Sequence, residues 1–412
     1  MNWIFFLLYL VLFSWLLTKI GFIKRSGLLK WMICCLFTLK VLAGIAYFQF
    51  YSLPANKPTS DTWKFYNRSI EETDNLLHDP ASFTKSIFIS KYESTGGLFS
   101  DQQSYWNDVK DDIMVKMMAV FNVFTNKHYY SNIIFFNFLF FLGLIAFYRL
   151  MRSFFPDKNY LLLASVFLIP SFLFWCSGIH KDGLIFSLLG MIFFCFYQLL
   201  QQKKIIRNLF IIILSFVFIF LLRSYIVLAL FPCLIIGMLM HLSPKWKYLV
   251  VILSLTTGVI LIFTLKYVHP KLNIPAYIVE KQSQFKQLQG GSAINTPDLQ
   301  PGIQSFVAAL PSALDVALIR PHISETGSSS KIAAIEILFV WMALLYCLIR
   351  GRKNSIPPVV ITCWIFSFIV LIIIGYTVNF SGAVVRYRSL VLPFLFAPAV
   401  GLWLFKKQIT KK

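Results

Sequence analysis

Apolar residues in this chain do not alternate with polar ones. They gather into eleven runs, near residues 3–18, 31–51, 132–150, 159–177, 184–201, 208–222, 225–241, 248–266, 332–349, 356–376 and 389–405. A run of roughly 20 apolar residues matches the thickness of a bilayer's hydrocarbon core when coiled as an α-helix. Lipid offers no partners to backbone N–H and C=O groups, so such runs are expected to be helical. A transmembrane β-barrel would instead show alternation. The pattern therefore predicts an all-α, polytopic transmembrane helix bundle of about eleven spans, forming one integral membrane domain over 1–412. Arg223-Ser224-Tyr225 interrupts the apolar sequence at its weakest boundary, which fits either a tight hairpin or one long broken segment.

Composition supports this class. The chain is 58% hydrophobic and 13% charged, whereas soluble domains carry about 25% charged residues. The net charge of +21 is not spread evenly. One set of alternate connections, from Lys19–Lys30 to Lys406–Lys412, holds nineteen lysines and arginines against a single acid, Asp157. Positive charge marks the cytoplasmic side, so the N-terminus is expected outside and the C-terminus inside. This placement argues against nucleic acid as the partner. The first run has no basic residue before it and Lys19, Lys24 and Arg25 after it, the reverse of a signal peptide. It is read as a retained span.

Two long polar segments, 52–131 and 267–331, then fall outside. In the first, Val109, Ile113, Val115, Met117 and Val120 approximate one helical face, predicting a short amphipathic helix at the membrane surface. The seven cysteines lie in or beside apolar runs without metal-ligand spacing, so neither a disulfide framework nor a zinc site is expected. No Walker A loop, GxGxxG or HExxH motif occurs. These absences speak against a nucleotide motor or a zinc protease, and no cofactor is expected.

The topology gathers several polar motifs on the outer side. Asp61, in Ser60-Asp61-Thr62-Trp63-Lys64-Phe65-Tyr66, could serve as a general base, although taken alone it better fits a solvated loop acid or a helix N-cap. His180-Lys181-Asp182 occupies a very short turn between two runs. There Lys181 suits a phosphate, and Asp182 suits a base or a cap. Arg223, Arg320, Arg386 and Arg388 are outer-side arginines, the preferred forks for phosphate and carboxylate. Each alone also fits an arginine reaching to lipid headgroups. Tyr66 and Tyr387 accompany them. Two ionisable residues, Lys40 and Glu336, lie within runs. A charge in lipid is costly unless paired, and Glu336 is a candidate partner for Lys40.

These motifs resemble those of bacterial envelope-polysaccharide membrane proteins, the GT-C-type glycosyltransferases and O-antigen-polymerase-like proteins. The resemblance rests on the acid of an early outer loop at Asp61, the Pro…Trp-Cys-Ser helix end and charged turn at Pro170–Asp182, and the Arg-Tyr…Pro entry at Arg386–Pro393. Arg320-Pro321…Glu325 also resembles a pattern in envelope membrane proteins. The chain departs from GT-C proteins in placing Asp61 after the second run rather than the first. The resemblance implies an enzyme of a bacterial inner membrane that transfers a sugar or glycan from a polyprenyl-phosphate-linked donor at the outer face. Asp61 and Asp182 would then be catalytic. His180, Lys181, Arg223, Arg320, Arg386, Arg388, Tyr66 and Tyr387 would bind substrate. A transporter or flippase of an envelope lipid or glycan, or a non-catalytic membrane subunit, are the alternatives.

Overall fold

A computed structural model describes residues 2–54, 56–57, 60–86, 89–90, 92, 104–155, 160–288, 292–325, 328–351 and 356–409. Asp157, Lys158, Arg352, Lys353, Lys411 and Lys412, counted above in the charge bias, lie outside them. The described residues form helices and no strand; Ala293 and Phe380 make an isolated bridge. Seven helices among them are long and apolar enough to cross a membrane: Lys30–Ser52, Tyr129–Phe154, Lys181–Leu200, Ile205–Leu242, Pro244–Val268, Ser330–Arg350 and Pro358–Thr377. A bent pair, Ser381–Ser389 and Leu392–Leu404, adds an eighth if its 50° break lies within one span.

The outward faces of these helices identify an integral membrane protein. Pro244–Val268 is strongly apolar, yet none of the residues of Lys247–Val268 is buried. Ile206 is 87% exposed and Phe210 65%. A helix apolar on all sides and uncovered by protein needs lipid as its solvent.

Where the runs and helices differ, the reason is local. The run near 159–177 is broken into Tyr160–Phe167 and Pro170–Trp175. Pro170 restricts the residue before it and cannot donate to the turn above. The runs 208–222 and 225–241 are two helical segments within Ile205–Leu242, separated by a kink at Arg223, whose φ of −153° and ψ of 85° are not helical. The run near 3–18 is helical over Asn2–Lys19 but is one of the shorter apolar helices.

By contacts the chain sorts into two compact units. The first holds Met1–Ser153, Phe172–Leu199 and Lys204–Ser224; the second holds Phe154–Ser171, Leu200–Lys203 and Tyr225–Lys412.

In the first unit, Tyr129–Phe154 and Lys181–Leu200 cross backbone to backbone. A Cβ added to Gly143 would fall 2.1 Å from the Cα of Ser187. Small residues at a crossing let membrane helices make close van der Waals contact where no hydrophobic effect drives them together. The first polar segment is a helical hairpin of Asp61–His78 and Tyr105–Thr125. The expected helix around 108–120 is present, and much of it is covered by protein. Met114, Val115, Met118 and Ala119 are buried, and so are Asp111, Asp112 and Lys116. Ion pairs join the two arms: Lys64 to Asp111 at 2.6 Å, Arg68 to Asp112, Lys116 to Glu72, and Lys127 to Asp74 at 2.6 Å.

Candidate functional site

Lys40 explains how the site turn is held. It sits mid-helix in Lys30–Ser52 and is 1% exposed. Its ammonium donates to the Cys176 carbonyl at 2.8 Å and the Ser177 hydroxyl at 3.0 Å. The expected pairing with a polar group is met by a backbone carbonyl and a hydroxyl. Glu336 instead accepts from the Ser171 amide at 2.8 Å within the second unit. Asn137 adds a bond from its amide to the Ser177 carbonyl at 2.8 Å. A Cβ on Gly178 would fall 2.2 Å from the Tyr47 ring, so the turn lies directly against Lys30–Ser52. Two buried side chains thus satisfy the orphan carbonyls that follow Pro170–Trp175, and they fix the segment that carries His180.

From this turn runs a chain of ionisable groups. The His180 Nε2 lies 3.1 Å from Oδ2 of Asp61, and its Nδ1 lies 3.0 Å from Oδ2 of Asp182. The other oxygen of Asp182 lies 2.6 Å from Nη2 of Arg223. Exposure drops sharply after the first member: Asp61 is 48% exposed, whereas His180 is 1%, Asp182 0% and Arg223 9%. Asp61 opens the first turn of its helix, where the dipole favours an anion. Asp182 lies in the first turn of Lys181–Leu200. Arg223 reaches Asp182 from the non-helical residue of Ile205–Leu242.

His180 is addressed twice at Nδ1. The Asp182 amide donates to it at 3.3 Å, and the Asp182 carboxylate stands 3.0 Å away. A neutral imidazole carries a hydrogen on one nitrogen only. Either tautomer therefore finds a partner at Nδ1, while Nε2 faces Asp61. A ring held this way can take or give a proton at Nε2 without losing its orientation.

Lys181, the neighbouring residue, points to a different acid. Its ammonium lies 2.6 Å from Asp111, which also receives Lys64 at 2.6 Å. Burial alone would raise the Asp111 carboxyl, but the two ammonium groups outweigh it and hold the carboxyl below its ordinary value. Lys64 is raised: partial burial works against it, and Asp111 more than compensates. The Lys181 ammonium also stands over the Phe65 ring at 5.5 Å. Tyr66 donates its hydroxyl to the Lys127 carbonyl at 2.9 Å. Beside Asp61, the helix face bearing Ser60, Trp63, Lys64 and Asn67 joins Pro54 and Lys57 around an open depression of about 470 Å³. Lys57 lies over the Trp63 ring at 4.5 Å.

The remaining arginines belong to the second unit, in a separate network. Arg320 bonds Asp315 at 3.1 Å and Glu325 at 3.0 Å, and His322 bonds the other oxygen of Asp315 at 2.9 Å. Ser381 donates to Glu325 at 2.5 Å. Burial would raise Glu325, but bonds from Ser381 and the His322 amide, with the charge of Arg320, hold it low. Arg388 is 2% exposed and donates to the carbonyls of Ala317 at 3.2 Å and Arg320 at 2.7 Å. It fixes the turn rather than offering a fork to a ligand. Arg386 is partly exposed, its guanidinium 5.5 Å from the centre of the Tyr387 ring.

The structure thus brings together Asp61, His180, Lys181, Asp182 and Arg223 in the first unit and sets Arg320, Arg386, Arg388 and Tyr387 in the second. Sequence reasoning missed Asp111, the acid that holds Lys181. Its signal was an Asp108–Asp112 acid cluster on a stretch read only for its apolar face. Asp315 gave no motif-level signal. Among the described residues, no group of three or more His, Cys, Asp or Glu side chains is arranged to hold a metal ion. Family models, curated proteins and solved structures offer no match to this chain.

Proposed function

We propose that this protein is an integral membrane glycosyltransferase or polysaccharide polymerase, working at the outer face of a bacterial inner membrane on a polyprenyl-phosphate-linked sugar or glycan. In this reading the N-terminus lies outside, the C-terminus inside, and residues 52–131 and 267–331 face out. The observation that carries it is the relay from half-exposed Asp61 through buried His180 to fully buried Asp182 and Arg223. An acceptor hydroxyl gives its proton to Asp61 as its oxygen bonds to the anomeric carbon. The bond from that carbon to the donor's phosphate oxygen breaks, and the phosphate leaves with the electron pair. A base within hydrogen-bond reach contributes about 10²–10⁴-fold.

Asp182 is a positioning residue here, because no surface of it reaches solvent; it orients His180 and neutralises Arg223. Lys57 and Lys64 border the depression beside Asp61 and suit a departing phosphate. Trp63 supplies an apolar face in the same depression.

The test is turnover of a radiolabelled polyprenyl-diphosphate glycan by the purified full chain. Asp61→Asn lowers it by about 10²–10⁴-fold with donor binding retained. Full envelope-glycan synthesis in cells carrying Asp61→Asn overturns the transfer mechanism. Glycan that accumulates inside without crossing points instead to transport. Cysteine labelling checks orientation: residues 60–86 should react from outside and Lys203→Cys from inside.

A further inference from the structure

Within the second unit, a bonded network of side chains ends on a histidine at the wall of a cavity. Asp315–Ile319 forms a single π turn, closed by the Arg320 amide on the Asp315 carbonyl at 3.1 Å. Such turns recur at functional sites. This one is clamped from several sides. Arg388 holds the carbonyls of Ala317 and Arg320, and the Trp341 indole donates to that of Leu318 at 2.5 Å. Ser381 bonds Glu325, Glu325 bonds Arg320, and Arg320 bonds Asp315. Asp315 meets Nε2 of His322 at 2.9 Å, and the His322 amide donates to Glu325 at 3.1 Å. Of these linked side chains, His322 is the one that borders the cavity, whose volume is about 490 Å³.

The network fixes what His322 can accept. Burial would raise the Asp315 carboxyl, but bonds from His322 and Arg320 hold it below its ordinary value, so it is an acceptor. The hydrogen of a neutral imidazole then sits at Nε2, and Nδ1 keeps its lone pair. A ligand at that nitrogen must bring a hydrogen-bond donor. Asp315 and Glu325 share the Arg320 guanidinium, so two carboxylates and one cation leave one negative charge. The Arg388 charge is buried against the carbonyls of the turn. The half-exposed side of the network therefore draws a cation and repels an anion. The rest of the wall is mostly apolar. Ile319 and Ile323 come from the turn, and Ala334 and Leu338 lie one helical turn apart on Ser330–Arg350. Ile319, Ile323 and Leu338 are exposed, as are Ile335 and Phe339 on the same span, so the cavity is continuous with a surface that needs lipid. We propose that it seats the primary ammonium of a phosphatidylethanolamine-type lipid on His322 Nδ1, with an acyl chain along Ala334 and Leu338. Ser324, in the same wall, offers a hydroxyl to the headgroup phosphate. This site is independent of the transfer reaction proposed above.

The experiment uses the purified full chain in nanodiscs of phosphatidylethanolamine and phosphatidylcholine with matched chains, with retained lipid read by native mass spectrometry. The two headgroups carry the same charges and differ in N–H donors. Phosphatidylethanolamine is retained about fivefold over phosphatidylcholine, and its N,N-dimethyl form falls between. His322→Phe keeps a ring without nitrogens and abolishes the preference. Asp315→Asn lets the carboxamide donate to Nε2, moves the ring hydrogen to Nδ1, and lowers the preference. Glu280→Gln, an exposed acid of the same unit, leaves it unchanged. Should His322→Phe fail to fold, the headgroup series on the unaltered chain carries the test. Equal retention of phosphatidylethanolamine and phosphatidylcholine by that chain overturns the proposal. A preference that survives in folded His322→Phe does the same. Equal loss in Glu280→Gln overturns it in favour of diffuse acidic attraction. Phosphatidylglycerol retained as strongly as phosphatidylethanolamine overturns it in favour of a hydroxyl-bearing headgroup.

Discussion

Replacing Asp182 by alanine removes a carboxylate with no exposed surface that stands 2.6 Å from Arg223 and 3.0 Å from His180. Arg223 is only 9% exposed, so the variant leaves a guanidinium out of water with no counter-charge. Breaking a buried pair from one side costs about 3–5 kcal/mol. Native proteins have about 5–15 kcal/mol in total, so the loss is a large share. Removing both partners should cost much less, because a buried pair is often replaceable by apolar residues of similar volume. The assay is a double-mutant cycle: Asp182→Ala, Arg223→Met and the double variant, each unfolded reversibly in mixed micelles and followed by tryptophan fluorescence. The single variants are expected to lose about 3–5 kcal/mol each, and the double variant clearly less than their sum. If Asp182→Ala loses under about 1 kcal/mol, or the two losses add, Arg223 does not depend on Asp182 and the buried end of the relay is wrong.

Three further outcomes follow from the same unit. Lys40→Met deprives the Cys176 carbonyl and Ser177 hydroxyl of their donor and should lower stability by about 1–3 kcal/mol, read as a fall in thermal midpoint in detergent; an unchanged midpoint counts against the anchoring role. Gly143→Ala puts a methyl 2.1 Å from the Ser187 Cα, so a loss of about 1–3 kcal/mol is expected from overpacking, and crosslinking yield between the two helices should drop with it. Asp111 has its folded carboxyl held below the ordinary 3.8. Its contribution is therefore full above that pH and is lost as pH falls through the lower folded value. Asp111→Asn should flatten this acid limb of a stability-versus-pH curve, and a limb left intact would remove Asp111 as its source.

The neighbouring Asp112 shows why such behaviour cannot be read from residue type. Burial pushes its carboxyl up, and although Arg68 and Lys116 pull it down, the upward effect prevails. Two adjacent aspartates on one helix shift in opposite directions because Asp111 receives two ammonium groups. Sequence gives the acids; only the approach of Lys64 and Lys181 from elsewhere gives the sign.

The same division runs through the whole protein. The length of an apolar run and the absence of polar partners in lipid are properties of the chain itself. They determined that the protein is helical and embedded in a membrane, and that Arg223 would either interrupt one helix or separate a pair of helices. The polar motifs beside the apolar runs also named Asp61, His180 and Asp182, because charged residues next to long apolar stretches stand out against their surroundings. Tertiary structure decided which of those charges meet. Arg388 looks in sequence like a free fork, yet it is spent on the carbonyls of Ala317 and Arg320. Lys40 looks in sequence like a cation in search of an acid, yet it finds a carbonyl and a hydroxyl. Hydrophobicity acts along the chain and is legible there. Pairing of charges acts over a few ångströms, between residues 119 positions apart in the case of Asp61 and His180, and is set only by the fold.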